Sequence, residues 1–585
     1  MTLLSAGFSV ADTGPATHER IGDFALIDQE GVFHQITRYG HKDALVLISQ
    51  ANGCPVIPSQ LPALTTLRQK WEPQNVAFLM INSTGRDSRE ELRAEAATYD
   101  LDYPILIDDT QLVAEALGIN RVGELIVLEP KTLKLIFKGP LDERSRRRDD
   151  PPKPTPLADA LTRIIAAQTA TMDTVVIDTT ADVEIGCEQS FGKVALHAGN
   201  PPDYARDVAP ILRENCVHCH REGGIGPFAM NSYHMVRGWS HMMREVLMTR
   251  RMPPAQVDPH IGEFSNARHL SDADLQTLVH WIDQGAPRGD GGDPLLVDAR
   301  FVADPGWQLG EPDYIVNIPP QNIPATGVLD YRNVIVDLPF KTDKWIRAVH
   351  FRPSNVKVMH HLLSYVIPPD YDRSADGTAR SQRRFLEGYA PGKFDAMSFP
   401  ENSGVYVPQG HNLRVQLHYT TYGKETVDNT RIGLYFHDTP PDYEFHNKSV
   451  VQGNLAIPPG AIEYKAQQQF VFEKDIVLYG LRPHMHYRGK HFKFKVIYPD
   501  NTSEELLSVP NYNFNWQPTY LLREPKNLPA GSRVVVSGAF DNSEFNPGNP
   551  DPSKEITWGA QSWDEMFIGY FAYHFAAKSE TRYRH

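Results

Sequence analysis

Cysteine is scarce in this 585-residue chain: Cys54, Cys187, Cys216 and Cys219 are the only four, and none follows position 219. The C-terminal half therefore has no disulfide and no thiolate ligand, and any metal there must be held by His, Met or carboxylate. Long apolar runs are missing too. No stretch approaches the roughly 20 residues that a bilayer-spanning helix needs, which predicts a soluble chain without a membrane span. Positive charge is in deficit, with 58 Lys and Arg against 72 Asp and Glu; a nucleic-acid partner, which calls for a segregated basic surface, is not expected. What is plentiful is proline (46) and glycine (41), a balance that favours short strands and turns over long helices. The length suits three or four domains of about 100–200 residues each. The first 20 residues read as a tail or as the remnant of an export signal. Met1 to Ala11 is uncharged and Ser9-Val10-Ala11 looks like a signal-peptidase site, but a basic leader is missing.

Strand and helix patterns alternate over 21–170. Apolar runs at 44–49, 76–81, 105–108 and 125–128 read as buried strands, and 58–71, 88–99, 111–118 and 157–167 carry helical spacing. Alternation of this kind predicts an α/β layer fold. Between the last strand and helix, 143–156 is a solvated loop of mixed charge. Residues 171–200, rich in Thr, Asp and Gly, read as a linker, and 201–292 as helical, with a capped helix start at Leu270-Ser271-Asp272. From about 300 onward short strands separated by Pro, Gly and Asn predict two all-β domains, over 300–450 and 451–585.

Cys216-Val217-His218-Cys219-His220 fits the C-x-x-C-H pattern of c-type haem attachment, delivered by a helix over 206–215. In that pattern the thiols form thioethers to the porphyrin and His220 is an axial iron ligand. A redox dithiol or half a zinc site is the alternative, although no second C-x-x-C exists to complete a zinc set. With the Arg-Met-Pro-Pro stretch at 251–254 and a closing helix ending at Trp281–Pro287, the region resembles a small all-α cytochrome c domain. The resemblance implies Met252 as second axial ligand, in competition with Met242, Met243, Met248, His241, His260 and His269, and a raised haem potential suited to electron transfer. Because haem is attached covalently outside the bacterial cytoplasm, it also implies a periplasmic or secreted protein.

After residue 340, four strings stand out: His360-His361, Gln416-Leu417-His418, His484-Met485-His486 and Met566. His484 and His486 are two apart on a strand, so both imidazoles leave one face and can chelate one ion. His360 and His361 would diverge on a regular strand, and sharing a metal requires a bulge or a strand end. His418 shares a face with Arg414 and Gln416. Taken singly, each His is an ordinary polar residue and Met566 a core residue. Together, an imidazole-rich set with one thioether favours copper. Their order resembles the copper type II, ascorbate-dependent monooxygenases of the peptidylglycine α-hydroxylating and dopamine β-monooxygenase type. The resemblance covers residues 300–585 and implies two jelly-roll sandwich domains. It places an electron-donating copper on His360, His361 and His418, and an oxygen-activating copper on His484, His486 and Met566 across a solvent-filled cleft. It also implies a substrate contact at Arg482, where the peptide hydroxylases hold a substrate carboxylate. The family's disulfides are missing here, so a peptide substrate does not carry over.

Gly53-Cys54-Pro55-Val56-Ile57, at a strand-to-helix turn, makes 21–170 resemble a redoxin of the thioredoxin/peroxiredoxin type, where a helix N-terminus lowers the thiol pKa. It departs from that pattern in four places. Ile57 replaces the second thiol of C-x-x-C, Ala51 replaces the peroxidase threonine, Val122-Gly123 stands where a cis-proline is expected, and Arg121 only loosely mimics the peroxidase arginine. Cys187 is the one other thiol outside the haem motif, so a Cys54–Cys187 disulfide is expected, as a redox couple or as a staple. A staple or vestige is the favoured reading over an active peroxidase. The chain as a whole reads as a copper monooxygenase that hydroxylates a C–H bond of a small-molecule or peptide substrate with O2. Two coppers and haem c are its cofactors, and its electrons come from an external donor through the haem. A non-catalytic copper and haem electron-transfer or sensor protein, or a thiol peroxidase, are the alternatives.

Overall fold

The structure, a computed structural model, describes residues 21–141, 156–167, 177–178, 186–222, 224–254, 257–296, 306–371, 383–390 and 395–579. The expected tail and nearly all of the loop 143–156 lie outside the described residues. The chain divides into two compact units. The first comprises Met1–Pro210, Arg237–Pro253 and Leu270–Gly291, and the second Ile211–Val236, Pro254–His269 and Gly292–His585. The helical stretch expected over 201–292 is thus shared between them.

The first unit is built on one mixed sheet. Ala44–Gln50 pairs in parallel with Val76–Asn82, which pairs in parallel with Ile105–Ile107; Glu124–Glu129 and Lys134–Pro140 continue the sheet antiparallel. All seven residues of Ala44–Gln50 are buried, because a strand covered on both faces keeps only a continuous apolar run dry. The helices Val56–Trp71, Arg89–Tyr99, Leu112–Leu117 and Pro156–Ala167 follow where helical spacing places them. Ser88 opens the second with a reciprocal capping box to Glu91. The outer strands Ala25–Asp28, Phe33–Gln35 and Lys134–Pro140 carry no strong sequence signal and were not expected. The reading of 171–200 as linker needs correction at its end, since Gly192–Gly199 is a helix. The helix Asp272–Asp283 starts on Ser271, whose hydroxyl accepts from Asp274 N–H. It packs on the sheet unit through Gln276 Nε2–H to Thr110 O at 2.7 Å and His280 Nε2 to Glu115 at 2.8 Å.

The second unit is all-β apart from the segments before residue 292. A nine-stranded sheet and two four-stranded sheets account for most of it. One four-stranded sheet runs Arg332–Asp337, Asn412–Tyr419, Met359–Ile367, Arg384–Tyr389; the other runs Tyr464–Val471, Arg533–Phe540, Gly489–Ile497, Ser503–Val509. Among the described residues the two large apolar cores lie around Val349, Leu362 and Leu417 and around Leu481, Phe494 and Phe567. The boundary expected at 450/451 is crossed by a strand. Tyr443–Gln452 pairs in parallel with Ser403–Val407 of the first half and antiparallel with Phe567–Phe575 of the second, so the nine-stranded sheet is common to both cores.

Candidate metal centres

His360 and His361 open the strand Met359–Ile367. Its register against Asn412–Tyr419 shifts between Met359 and His361, so the ladder is irregular at His360. That irregularity is the bulge which adjacent histidines need in order to converge, and it brings His360 Nδ1 to 3.1 Å from His361 Nδ1. His361 lies opposite His418 in the register, with the two Nδ1 atoms 3.4 Å apart. One nitrogen from each of His360, His361 and His418 lies within 4.8 Å of the others. Tyr331 stacks on His418 at 4.5 Å. His360 Nε2 is buried and has no hydrogen-bond partner, which is costly unless something else binds there. Burial, and then the neighbouring histidines, hold all three in the neutral form: His360 is lowered to about 3, His418 to about 4, and His361 falls well below its usual value. Neutral imidazole is the ligating form, so the set fits a metal ion.

The second set sits at the end of the strand Ile476–His484. The rings of His484 and His486 lie 5.2 Å apart. Each has its Nδ1–H spent on a carbonyl oxygen: His484 donates to Gln517 Oε1 at 2.6 Å and His486 to Asp564 O at 3.2 Å. This fixes the tautomer, orients both rings and leaves the two Nε2 lone pairs for a metal. Burial lowers His484 to about 3 and His486 to about 4. Met566 reaches this place through the antiparallel ladder. His484, the last residue of its strand, pairs with Ile568, and Met566 precedes that partner strand Phe567–Phe575. The buried Glu565 fastens the loop there, its carboxylate accepting His486 N–H at 2.8 Å and Arg488 N–H at 2.6 Å.

One aromatic side chain touches a histidine of each set. The ring of Phe514 stacks on His360 at 4.6 Å and meets His486 edge-on at 5.7 Å. Phe514 is buried, because the segment that also brings Gln517 to His484 folds inward. Phe514, Gln517, Glu565 and Tyr331 all escaped the sequence reading: a loop residue carries no periodicity, and an acid beside a methionine carries no motif.

Arg482 is not the exposed strand arginine that its type suggests. It is 9 % exposed, with its guanidinium 4.2 Å from the Tyr570 ring centre and 5.4 Å from that of Phe385. Glu387 lies 3.8 Å away. Arg414 donates to Asn333 Oδ1 at 2.6 Å on the sheet face shared by Gln416 and His418, as the strand alternation predicts.

In the C-x-x-C-H segment both thiols are free. His220 N–H donates to Cys216 O, winding the motif into one turn beyond the helix Ala209–Asn215. His220 Nδ1–H donates to Phe228 O at 3.2 Å, leaving Nε2 free. Gly226 lies so close that a Cβ there would meet His220 Nδ1 at 2.7 Å. Free paired thiols beside an oriented imidazole fit covalent haem. Met252 belongs to the other compact unit, and its peptide N–H donates to Val246 O. Cys54 is bonded to Cys187, as expected.

Residues 17–136 match the AhpC/TSA family, and residues 449–584 match the copper type II ascorbate-dependent monooxygenase, C-terminal domain. His484, His486 and Met566 fall inside the second stretch; His360, His361 and His418 precede it. No curated protein matches the chain. Among solved structures, a hypothetical protein from Sinorhizobium meliloti 1021 is 22% identical over 30% of this chain and 97% of its own, with a TM-score of 0.26. Peroxidoxin BcpB from Mycobacterium tuberculosis is 21% identical over 26% of this chain and 96% of its own, with a TM-score of 0.21. A putative thiol:disulfide interchange protein DsbE from Chlorobium tepidum is 12% identical over 26% and 99%, with a TM-score of 0.21. Scores of that size carry no argument by themselves.

Proposed function

From a chain that carries a thioredoxin-like redoxin domain at its N-terminus and a copper type II monooxygenase C-terminal domain, we propose an exported, periplasmic or secreted, copper-dependent monooxygenase. It hydroxylates a C–H bond of a small-molecule or peptide substrate with O2, and its electrons pass from an external donor by way of a c-type haem. The observation that supports this best is the pair of histidine sets in one unit, each neutral and desolvated, one of them all-imidazole and the other tied by the Glu565 carboxylate to the segment that carries Met566. Copper, when bound, supplies one-electron chemistry and a site for O2. His360, His361 and His418 would hold one ion, and His484, His486 and Met566 the other. The two β cores would be the family's two jelly-roll domains.

Gln517 and the Asp564 carbonyl keep the second set preorganised, and Phe514 keeps water from the space between the sets. Arg482, held flat between Tyr570 and Phe385, would anchor an anionic group of the substrate by sharing its guanidinium with Glu387. Cys216 and Cys219 would carry haem c as thioethers, with His220 as an axial ligand. A thiol peroxidase finds less support: Ala51 stands where a peroxidase carries its threonine, and Cys54 is bonded to Cys187.

Metal analysis should give two coppers per chain, with O2 uptake; one copper without uptake would make the protein a carrier or sensor. Anaerobic reduction of the haem followed by O2 should show a reoxidation that depends on Met566, and unchanged reoxidation in Met566→Ala removes the relay. Gln517→Leu frees the His484 ring, and should weaken copper binding at that site by about 10–100-fold in a chelator competition, while the all-His site keeps its affinity.

A further inference from the structure

The segment Gly186–Ser190 joins the first unit in a way that a loose linker would not. Cys187 O accepts Val122 N–H at 2.9 Å, and Gln189 N–H donates to Asn120 O at 2.9 Å. Arg121 and Glu188 form an antiparallel bridge. The segment therefore lies as a short added strand against the loop before Glu124–Glu129, where the redoxin pattern expects a proline and this chain has Val122-Gly123. Side chains clamp its ends. Arg121 Nη1–H donates to Gly186 O at 3.2 Å, Gln111 Nε2–H to Ser190 O at 3.0 Å, and Gln189 Nε2–H to Ser49 Oγ at 3.2 Å. Gly186 has a φ of +114°, and a Cβ there would stand 2.0 Å from Val122 O, so only glycine permits this approach. The seat is built for this segment.

Almost nothing apolar holds it. Cys187, Glu188 and Ser190 are exposed, whereas Cys54 is buried at 4 % exposure at the start of the helix Val56–Trp71. The two sulfurs of one bond thus differ in access, and access decides which of them a thiolate attacks.

We propose that Gly186–Ser190 is a redox latch: a built-in peptide ligand of the redoxin, seated by the Cys54–Cys187 bond and released by a dithiol reductant. A thiolate of the reductant attacks the exposed Cys187 sulfur. The Cys54–Cys187 bond breaks, and its electron pair leaves on Cys54 sulfur at the helix N-terminus, where a thiolate is favoured. The reductant is now joined to Cys187 in a mixed disulfide. Its second thiolate displaces Cys187, so the reductant ends as a disulfide and both cysteines end reduced, taking up the two protons that the reductant's thiols gave. Without the covalent bond, a five-residue strand whose clamping side-chain hydrogen bonds are part-buried or exposed opens readily. It then uncovers Val122 N–H, Asn120 C=O and Cys54.

The test uses the full-length chain, with dithiothreitol as the dithiol, and follows hydrogen exchange by mass spectrometry together with differential alkylation of Cys54 and Cys187. Reduction should raise exchange at 120–122 and 186–190 by tenfold or more and leave the central strand Ala44–Gln50 protected. Gly186→Ala keeps both thiols but blocks the seat, and should speed reduction of the disulfide several-fold. Cys187→Ser should be open without any reductant; should that variant not fold, the dithiol arm on the unaltered chain decides alone. Protection of 186–190 that persists after both cysteines are alkylated, or a disulfide that dithiothreitol reduces only once the unit unfolds, makes the bond a staple and overturns the latch.

Discussion

His418→Ala and His486→Ala are each expected to lower the copper content from two per chain to one and to abolish turnover, each by losing a different ion. His418 supplies one of three converging nitrogens whose alternatives are fixed in place: His360 and His361 sit on one bulge and cannot re-aim without breaking the ladder to Asn412–Tyr419. Its loss also removes the ring on which Tyr331 stacks at 4.5 Å. His486 is one of only two imidazoles in the second set, and its neighbour His484 is already committed through Nδ1 to Gln517. Loss of an outer-shell partner alone costs about 10–100-fold in metal affinity, so loss of a ligand should exceed that range. Metal analysis after exhaustive dialysis, with the copper-induced rise in Tm as a second readout, separates the two variants. Retention of both coppers in either of them would show that its histidine is not a ligand.

Glu565→Ala should be the most damaging change that touches no proposed ligand. The Glu565 carboxylate lies fully buried and accepts two backbone N–H groups, those of His486 and Arg488, one on each oxygen. Truncation strands both donors at about 1–3 kcal/mol each, and removes the acid that faces the buried Arg488 side chain. A loss of roughly 2–6 kcal/mol follows from those two donors, or about 3–8 °C in Tm at an unfolding entropy of about 2.1 cal/mol/K per residue. Glu565→Gln should fall between the two, since an amide offers one accepting oxygen and turns its NH2 against the other N–H. Thermal unfolding ranks the three proteins. Equal Tm for Ala and Gln would mean that the two-oxygen grip is not what holds the Met566 loop.

How much of this was legible beforehand depended on sequence separation. Buried parallel strands such as Ala44–Gln50 announce themselves because both faces must be apolar, and His484-Met485-His486 announces itself because a strand repeats every two residues. The need for a bulge at His360-His361 followed from the same geometry. What stayed hidden acts across distance. Gln517 reaches His484 over 33 residues and Glu565 reaches His486 over 79, and no local pattern encodes either meeting. Phe514 is one aromatic among many in a loop rich in them. The helix Gly192–Gly199 was masked by its glycine termini, and composition around it reads as linker. The strand Tyr443–Gln452 straddles the boundary expected at 450/451, and its role in joining two cores depends on partners more than a hundred residues downstream.

That shared strand bears on how such a chain can be assembled by gene fusion. Eight residues of Tyr443–Gln452 pair with Phe567–Phe575, while its first residues pair with Ser403–Val407. A cut near 450 would leave each fragment with a bare sheet edge, the kind of surface that recruits other chains into aggregates. The two β regions should therefore be expressed together, and a fusion that separates them is expected to aggregate.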